Sequence, residues 1–276
     1  MNESKIQDIE ISLFLEALFQ RHDYDFRNYA KASLKRRVLA LAAEQRMTVS
    51  ELIPRLLREE DCLMEVLAQL SVPVSEMFRD PPVFKALRET VLPLLKTYPR
   101  INVWQAGCAT GEEVYSLAIM LDEEGLLERS QIYATDINDL ALHKAEDGIF
   151  PMRTLAEYEK NYKNAGGKAR FSDYYVANAE FFRIHKRLRK KIVFAHHNLV
   201  SDGVFCEVQL ILCRNVLIYF NDELQKRVFD LFHKSLVRGG FLCLGTRESL
   251  RTIEEQHIFA PHQADCMIFH KNGVHS

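Results

Sequence analysis

Val103-Trp-Gln-Ala-Gly107-Cys-Ala-Thr-Gly111-Glu-Glu113-Val-Tyr-Ser-Leu-Ala118 is the stretch that decides the fold of this chain. A β-prone run, 101–106, meets a tight turn bounded by Gly107 and Gly111, and a helix-forming run begins at Glu112. Strand, glycine turn and helix in that order make a ligand cradle. The glycines let backbone approach a ligand closely, and the helix start offers unpaired N–H groups. Gly107 is therefore a candidate ligand contact.

The spacing narrows the ligand. A dinucleotide turn asks for three glycines in six positions, and only Gly107 and Gly111 are here. No Gly-Lys-Ser/Thr follows, which excludes a Walker A loop. Glu112 and Glu113 stand where a pyrophosphate would arrive, and like charge is unfavourable there. A cationic or zwitterionic ligand fits better, and S-adenosylmethionine, a sulfonium with an amino-acid end, meets that description. On this stretch alone a plain strand–helix connection stays open.

Further along, residues 131–136 read as a second strand ending in Asp136, placed to accept hydrogen bonds from ribose hydroxyls. Dinucleotide and S-adenosylmethionine folds share that feature. Residues 139–147 follow as a helix. Over 148–191 the alternation lapses into interleaved aromatic and basic residues, and runs such as 181–184 predict a small antiparallel insert. Such a segment can bind RNA, dock a partner or be a plain insert. Residues 192–195 are a strand, followed by Asn198 and Leu199. The apolar run 208–213 reads as a central parallel strand, with Arg214, Asn215 and Tyr219 after it. A helix over 222–236 and strands over 240–245 and 264–270 complete the chain. Strands alternating with helices predict a doubly wound, mostly parallel Rossmann-like sheet whose ligand lies beyond the strand carboxyl ends.

Upstream, residues 1–70 read as an all-α domain, with Thr48-Val-Ser-Glu51 as a capping box for its third helix. In the second helix, projecting from Leu34 at about 100° per residue puts Lys35 and Arg37 on opposite flanks and Arg36 away from the core. Six basic residues (27, 31, 35, 36, 37, 46) face one acid, Glu44, over 27–46. This is either a solvated face or a docking surface for an acidic helix. Residues 71–82 form a proline-bounded linker. Within it Arg79 needs an acidic partner, Glu76 or Asp80 being the neighbours, or a ligand. Residues 83–96 predict an amphipathic helix leading into the 83–276 domain.

A net charge of −2 gives no global push toward nucleic acid or membrane. No run approaches the roughly 18 apolar residues that span a bilayer, and the first residues lack a secretion signal's apolar core. Six scattered cysteines without a C-x-x-C pair predict reduced, buried thiols in a cytoplasmic protein. His196-His197 has no third ligand at helpful spacing, so no metal is expected.

Together these stretches resemble the CheR-type chemotaxis methyltransferases, which put methyl groups from S-adenosylmethionine onto receptor glutamates. The likeness rests on Phe78-Arg79, Gly-Cys-Ala-Thr-Gly-Glu-Glu-Val-Tyr-Ser (107–116), Ala-Thr-Asp-Ile-Asn (134–138), Asn198-Leu199 and Cys-Arg-Asn-Val-Leu-Ile-Tyr-Phe (213–220), and it runs over almost the whole chain. It implies that Arg79 and Tyr219 are the catalytic pair. It implies that Ser75, Arg79, Glu113, Asp136, Asn198, Leu199, Arg214 and Asn215 line the cofactor. Lys35, Arg36 and Arg37 would meet the acidic methylated helix of a receptor's cytoplasmic domain, with the protein acting as a monomer and without nucleic acid or membrane insertion. Pro73-Val-Ser75 stands where the family often has Asn-x-Thr, so no contact is assigned to Pro73. Residues 165–170 do not reproduce the turn of members that hold a receptor tail, and no tethering site is assigned. Rival readings are a same-fold methyltransferase acting on RNA or a small molecule, and a non-catalytic S-adenosylmethionine-binding adaptor.

Overall fold

The computed structural model describes residues 3–71, 75–250 and 252–272; Pro73 lies outside them. The chain divides into two compact units, Met1–Pro73 with Ile218–Val228, and Val74–Leu217 with Phe229–Ser276.

The first unit holds α1 (Glu3–His22), α2 (Lys31–Glu44), α3 (Val49–Arg58) and α4 (Glu60–Leu70). Leu34, Val38, Leu41 and Ala42 form the buried stripe of α2, the periodicity that Leu34 anchors, and Arg36 is exposed on the opposite side. Thr48 and Glu51 make the reciprocal capping box at the start of α3. The strand-like Tyr29 pairs with Phe220 in an isolated antiparallel bridge. Beside it the Ala30 N–H donates to the Tyr219 carbonyl (2.8 Å) and the Asn221 N–H to the Asn28 carbonyl (3.1 Å), so residues 219–221 belong to the helical unit.

The second unit opens with α5 (Pro81–Ala86), a π turn (Leu87–Val91) and α6 (Leu92–Leu95), where one regular helix over 83–96 was expected. Pro93 is the physical reason: it lacks an N–H for the Glu89 carbonyl and its ring crowds that position. Then come β1 (Ile101–Ala106), α7 (Glu112–Glu123), β2 (Ser130–Asp136), α8 (Asp139–Asp147), β3 (Ile149–Pro151), α9 (Leu155–Asn164), β4 (Tyr175–Ala177), β5 (Phe181–Ile184), α10 (Lys186–Arg189), β6 (Ile192–His196) and β7 (Val208–Cys213). The helix α11 (Asp222–Ser235) leads to β8 (Leu236–Leu244), α12 (Ile253–Ile258), β9 (Phe259–Gln263) and β10 (Ile268–Lys271).

Seven strands form one sheet in the order β6-β2-β1-β7-β8-β10-β9, parallel from β6 to β8 and antiparallel at β10 and β9. The doubly wound, mostly parallel expectation is met. All six residues of β7 are buried, as a strand covered on both faces requires. The chain winds outward from β1 to β2 and β6, then returns to β7 beside β1, so the switch point and its crevice lie at the carboxyl ends of β1 and β7. The insert is a three-stranded antiparallel sheet, β3-β5-β4. Buried Arg88 from the π turn pairs with Glu123 (2.6 Å) and Glu124 (2.9 Å). Glu123 also receives the Tyr162 and Tyr174 hydroxyls, which fastens the insert to α7.

A second expectation is corrected. A single strand over 264–270 is instead the hairpin β9–β10, with Met267 at φ 53° in its turn. Methionine is not a residue that announces a left-handed turn, which is why the apolar run hid it.

Candidate functional site

At the end of β1 the turn is drawn onto β2. The Gly107 and Cys108 N–H groups both donate to the Thr135 carbonyl (2.8 and 2.9 Å). Gly107 sits at φ 73°, and a Cβ there would run into the Val216 side chain, so only glycine fits. Asp136 ties the two strand ends together: one oxygen accepts the Ala109 N–H and the other the Asn138 N–H, both at 2.9 Å. Burial pushes its carboxyl upward, against the pull of these backbone donors. Each carboxylate oxygen keeps a second lone pair for hydroxyl donors.

Behind this turn is a buried charge network. Glu113, in the first turn of α7, accepts from Gln105 Nε2 (2.9 Å) and pairs with Arg214 Nη1 (2.5 Å). The Arg214 side chain is wholly buried, and its Nη2 pairs with Asp80 (2.6 Å). Its Nη1 also donates to the Arg79 carbonyl (3.1 Å). Arg214 is thus a clamp that reads both α7 and the Arg79 turn. It also compensates Glu113, leaving Glu112 and Asp136 as the charges that disfavour a phosphate. Glu112 is itself buried, which raises its carboxyl; the Thr110 hydroxyl (2.7 Å) and Ser75 bond to it.

The clamp holds an unusual piece of backbone. Phe78 and Asp80 both sit in the left-handed region, at φ 52° and 54°, on either side of Arg79. Such conformations cost about 1–3 kcal/mol each and persist only where surroundings fix them. Phe78 is fixed by its N–H to Ser116 Oγ (2.8 Å) and by a ring packed edge-on to Phe84, Tyr162 and Phe171. Asp80 is fixed by Arg214. Neither Glu76 nor Asp80 pairs with Arg79: Glu76 takes Asn161 Nδ2 (2.6 Å) and Asp80 takes Arg214. Among the described residues no hydrogen bond or ion pair engages the Arg79 guanidinium, which is half-buried.

After β7 the backbone turns at Asn215, φ 61°. Buried Glu248 organises this turn, accepting the N–H groups of Asn215 (3.0 Å), Leu217 (2.7 Å) and Gly245 (2.7 Å). Hydrogen bonds to a charged group contribute about 1.5–3 kcal/mol each. After β6, Asn198 closes an Asx turn on the Val200 N–H (2.9 Å) and its own N–H binds Asp202 (2.8 Å), with Leu199 buried alongside. Gly107, Asp136, Asn198, Leu199, Arg214 and Asn215 therefore all follow carboxyl ends of parallel strands in one sheet.

In the helical unit, Tyr219 lies half-buried in the turn Leu217–Tyr219, its ring under the Arg37 guanidinium at 4.7 Å. Arg37 also donates to the Leu70 carbonyl. Lys35 pairs with Asp8 of α1 (2.6 Å), so Arg36 is the exposed one of the three cations.

Sequence reasoning gave no role to Gln105, Ser116 or Glu248, and offered Asp80 only as a partner for Arg79. The pattern Gly245-Thr-Arg-Glu248 after an apolar strand carried a faint signal, since a carboxylate a few residues past a strand end can collect loop N–H groups.

A sulfonium cofactor with an amino-acid end and a ribose needs hydroxyl acceptors, an acceptor for its ammonium and a donor for its carboxylate. Asp136 supplies the first. Gln105 Oε1 and Arg214 Nε are buried without partners among the described residues, leaving one acceptor and one donor at this end of the sheet. The residues fit the group. All six cysteines are free thiols, and among the described residues no cluster of His, Cys, Asp and Glu is arranged to hold a metal ion.

A family model described as "CheR methyltransferase, SAM binding domain" matches residues 73–266. The chain is 50% identical over 273 residues to the "Putative methyltransferase Cher3" of Pseudomonas putida, covering 99% of this chain and 100% of that one. It is 31% identical over 229 residues to a "Chemotaxis protein methyltransferase" of Listeria monocytogenes, covering 82% and 84%. To "Chemotaxis protein methyltransferase 1" of Pseudomonas aeruginosa it is 28% identical over 226 residues, covering 76% and 78%.

Proposed function

The chain belongs to the CheR methyltransferase family and is an S-adenosylmethionine-dependent methyltransferase, and from that premise we propose that it methylates glutamate side chains in the cytoplasmic domain of a chemotaxis-type receptor. The observation that carries the choice of a carboxylate is Arg79: a cation with no partner among the described residues, on a turn whose backbone is fixed on both sides. A planar fork of donors suits a carboxylate, which it can hold at both oxygens.

When bound, the cofactor supplies an electrophilic methyl group on sulfur. Asp136 would accept from its ribose hydroxyls, Gly107 would leave room for it, and Ser75, Glu113, Asn198, Leu199, Arg214 and Asn215 would line or brace its place. Arg79 aligns the glutamate, and the Tyr219 hydroxyl donates toward the attacking oxygen. One oxygen–carbon bond forms as the sulfur–carbon bond breaks, giving a glutamate methyl ester and S-adenosylhomocysteine. A glutamate with a pKa of about 4.3 is already ionised at neutral pH, so no general base is needed. Orientation then carries the rate, and it can supply roughly 7–11 kcal/mol in well-aligned systems. Arg36, with the basic face of α2, docks the acidic helix that carries the glutamate.

The test is to incubate the protein with S-adenosylmethionine and receptor cytoplasmic domains, then map the modified peptides. Methylated glutamates in an acidic helix are expected. Methyl groups on RNA, on a small molecule or on a nitrogen would contradict the assignment.

A further inference from the structure

The three cations chosen as docking residues do not behave alike. Arg36 is exposed, Lys35 is tied to Asp8 (2.6 Å), and Arg37 turns inward. Its guanidinium carbon lies 4.7 Å from the centroid of the Tyr219 ring, within the range in which a cation is held by an aromatic face. The same group is also anchored by the Leu70 carbonyl at the end of α4. Tyr219 is caught a second time through its backbone, where its carbonyl accepts the Ala30 N–H (2.8 Å). Ala30 caps α2 and Arg37 lies two turns further along the same helix, so one element grips both the backbone and the ring of this tyrosine. Its neighbour Phe220 packs at 4.8 Å on Tyr29, directly before Ala30.

We propose that Arg37 is a positioning residue for methyl transfer: it fixes the orientation of the Tyr219 phenol. This rests on the reading of Tyr219 given above. A phenol in a loop turns about two side-chain bonds, and its hydroxyl swings through a wide arc when the ring rocks. A guanidinium held over the ring and bound to a helix-terminal carbonyl restricts that freedom. Arg37 then contributes to kcat, in contrast to a docking cation, which contributes to the KM of the protein substrate.

The experiment uses the full chain labelled with 3-fluorotyrosine. The Tyr219 fluorine resonance is assigned by its loss in Tyr219→Phe, and kcat, receptor KM and thermal midpoint are measured for Arg37→Ala, Arg37→Lys and Arg36→Ala. Arg37→Ala is expected to shift or broaden the Tyr219 resonance and to lower kcat on the order of tenfold, with receptor KM within about twofold of the parent. In the Tyr219→Phe background the same substitution should change kcat little, because there is no hydroxyl left to aim. Arg37→Lys keeps a cation and a donor for Leu70 but loses the guanidinium over the ring, so it should recover part of kcat; it also stands in if the alanine variant unfolds. Arg36→Ala should raise KM and leave the resonance where it was.

Two results would overturn the proposal. An unmoved resonance with raised KM makes Arg37 a docking cation. A moved resonance with unchanged kcat removes Tyr219 from the chemistry, and the positioning role with it. If the wild type modifies a different acceptor, the substrate reading fails separately, and kcat on that acceptor with the resonance still decides the role of Arg37.

Discussion

Arg79 lies between two residues, Phe78 and Asp80, whose backbones occupy conformations that side chains disfavour. The two conformations are held by named partners: Ser116 for the Phe78 N–H, and Arg214, which also binds Glu113 and the Arg79 carbonyl, for the Asp80 carboxylate. This arrangement aims a guanidinium while keeping its own side chain uncommitted. Arg79→Ala is therefore expected to lower turnover by roughly a hundredfold or more while cofactor affinity, read by calorimetry, falls far less. Equal losses in both would move Arg79 from the acceptor to the cofactor. Part of this was legible. Gly107, Glu113 and Asp136 are marked by the chemistry of a strand–turn–helix cradle, and Arg79 by its isolation in an apolar, proline-bounded run. The roles of Asp80 and Glu248 were hardly legible, because their partners lie 134 residues away and 31–33 residues away, and a carboxylate's backbone duties leave at most a faint pattern in sequence.

Among the elements, α2 carries the widest range of roles. Its buried stripe follows from simple periodicity, and so does the outward direction of Arg36. That Arg37 would leave the basic face for Tyr219 does not follow, since helical projection gives an angle and not the place of a segment some 180 residues later. Arg36→Glu is expected to raise the KM of the receptor substrate, more strongly at low ionic strength, where screening is weaker. A KM that ignores both the substitution and the salt would return this face to ordinary solvated surface. The elements at the sheet's far edge show the opposite limit. The π turn ahead of Pro93 and the β9–β10 hairpin were both hidden because an apolar run looks the same whether it continues or turns.

For the molecule as a whole, strand order sets the place of the chemistry. A chain that winds from β1 to β2 and β6 and then returns to β7 must open a crevice at the carboxyl ends of β1 and β7, and the alternation of strands and helices predicted this. Nothing in the sequence marked residues 218–228 for the helical unit, since Ile218-Tyr219-Phe220 reads as the sequel of β7; their place comes from backbone pairing with residues 28–30. S-adenosylhomocysteine at a hundred times its Kd should stabilise the folded protein by about 2.7 kcal/mol, seen as a rise in thermal midpoint. Asp136→Ala should lose most of that rise, because the ribose hydroxyls lose their acceptor. A full rise in the variant would place the cofactor elsewhere.

The most direct test is the fate of the transferred methyl group in mild alkali. With methyl-labelled S-adenosylmethionine and a receptor cytoplasmic domain, label bound to the receptor should be released as volatile methanol on brief base treatment, as a carboxyl ester requires, and should be nearly absent with Arg79→Ala. Label that survives base would contradict a glutamate as the acceptor, and base-labile label that appears undiminished without Arg79 would contradict the role of Arg79 in aligning it.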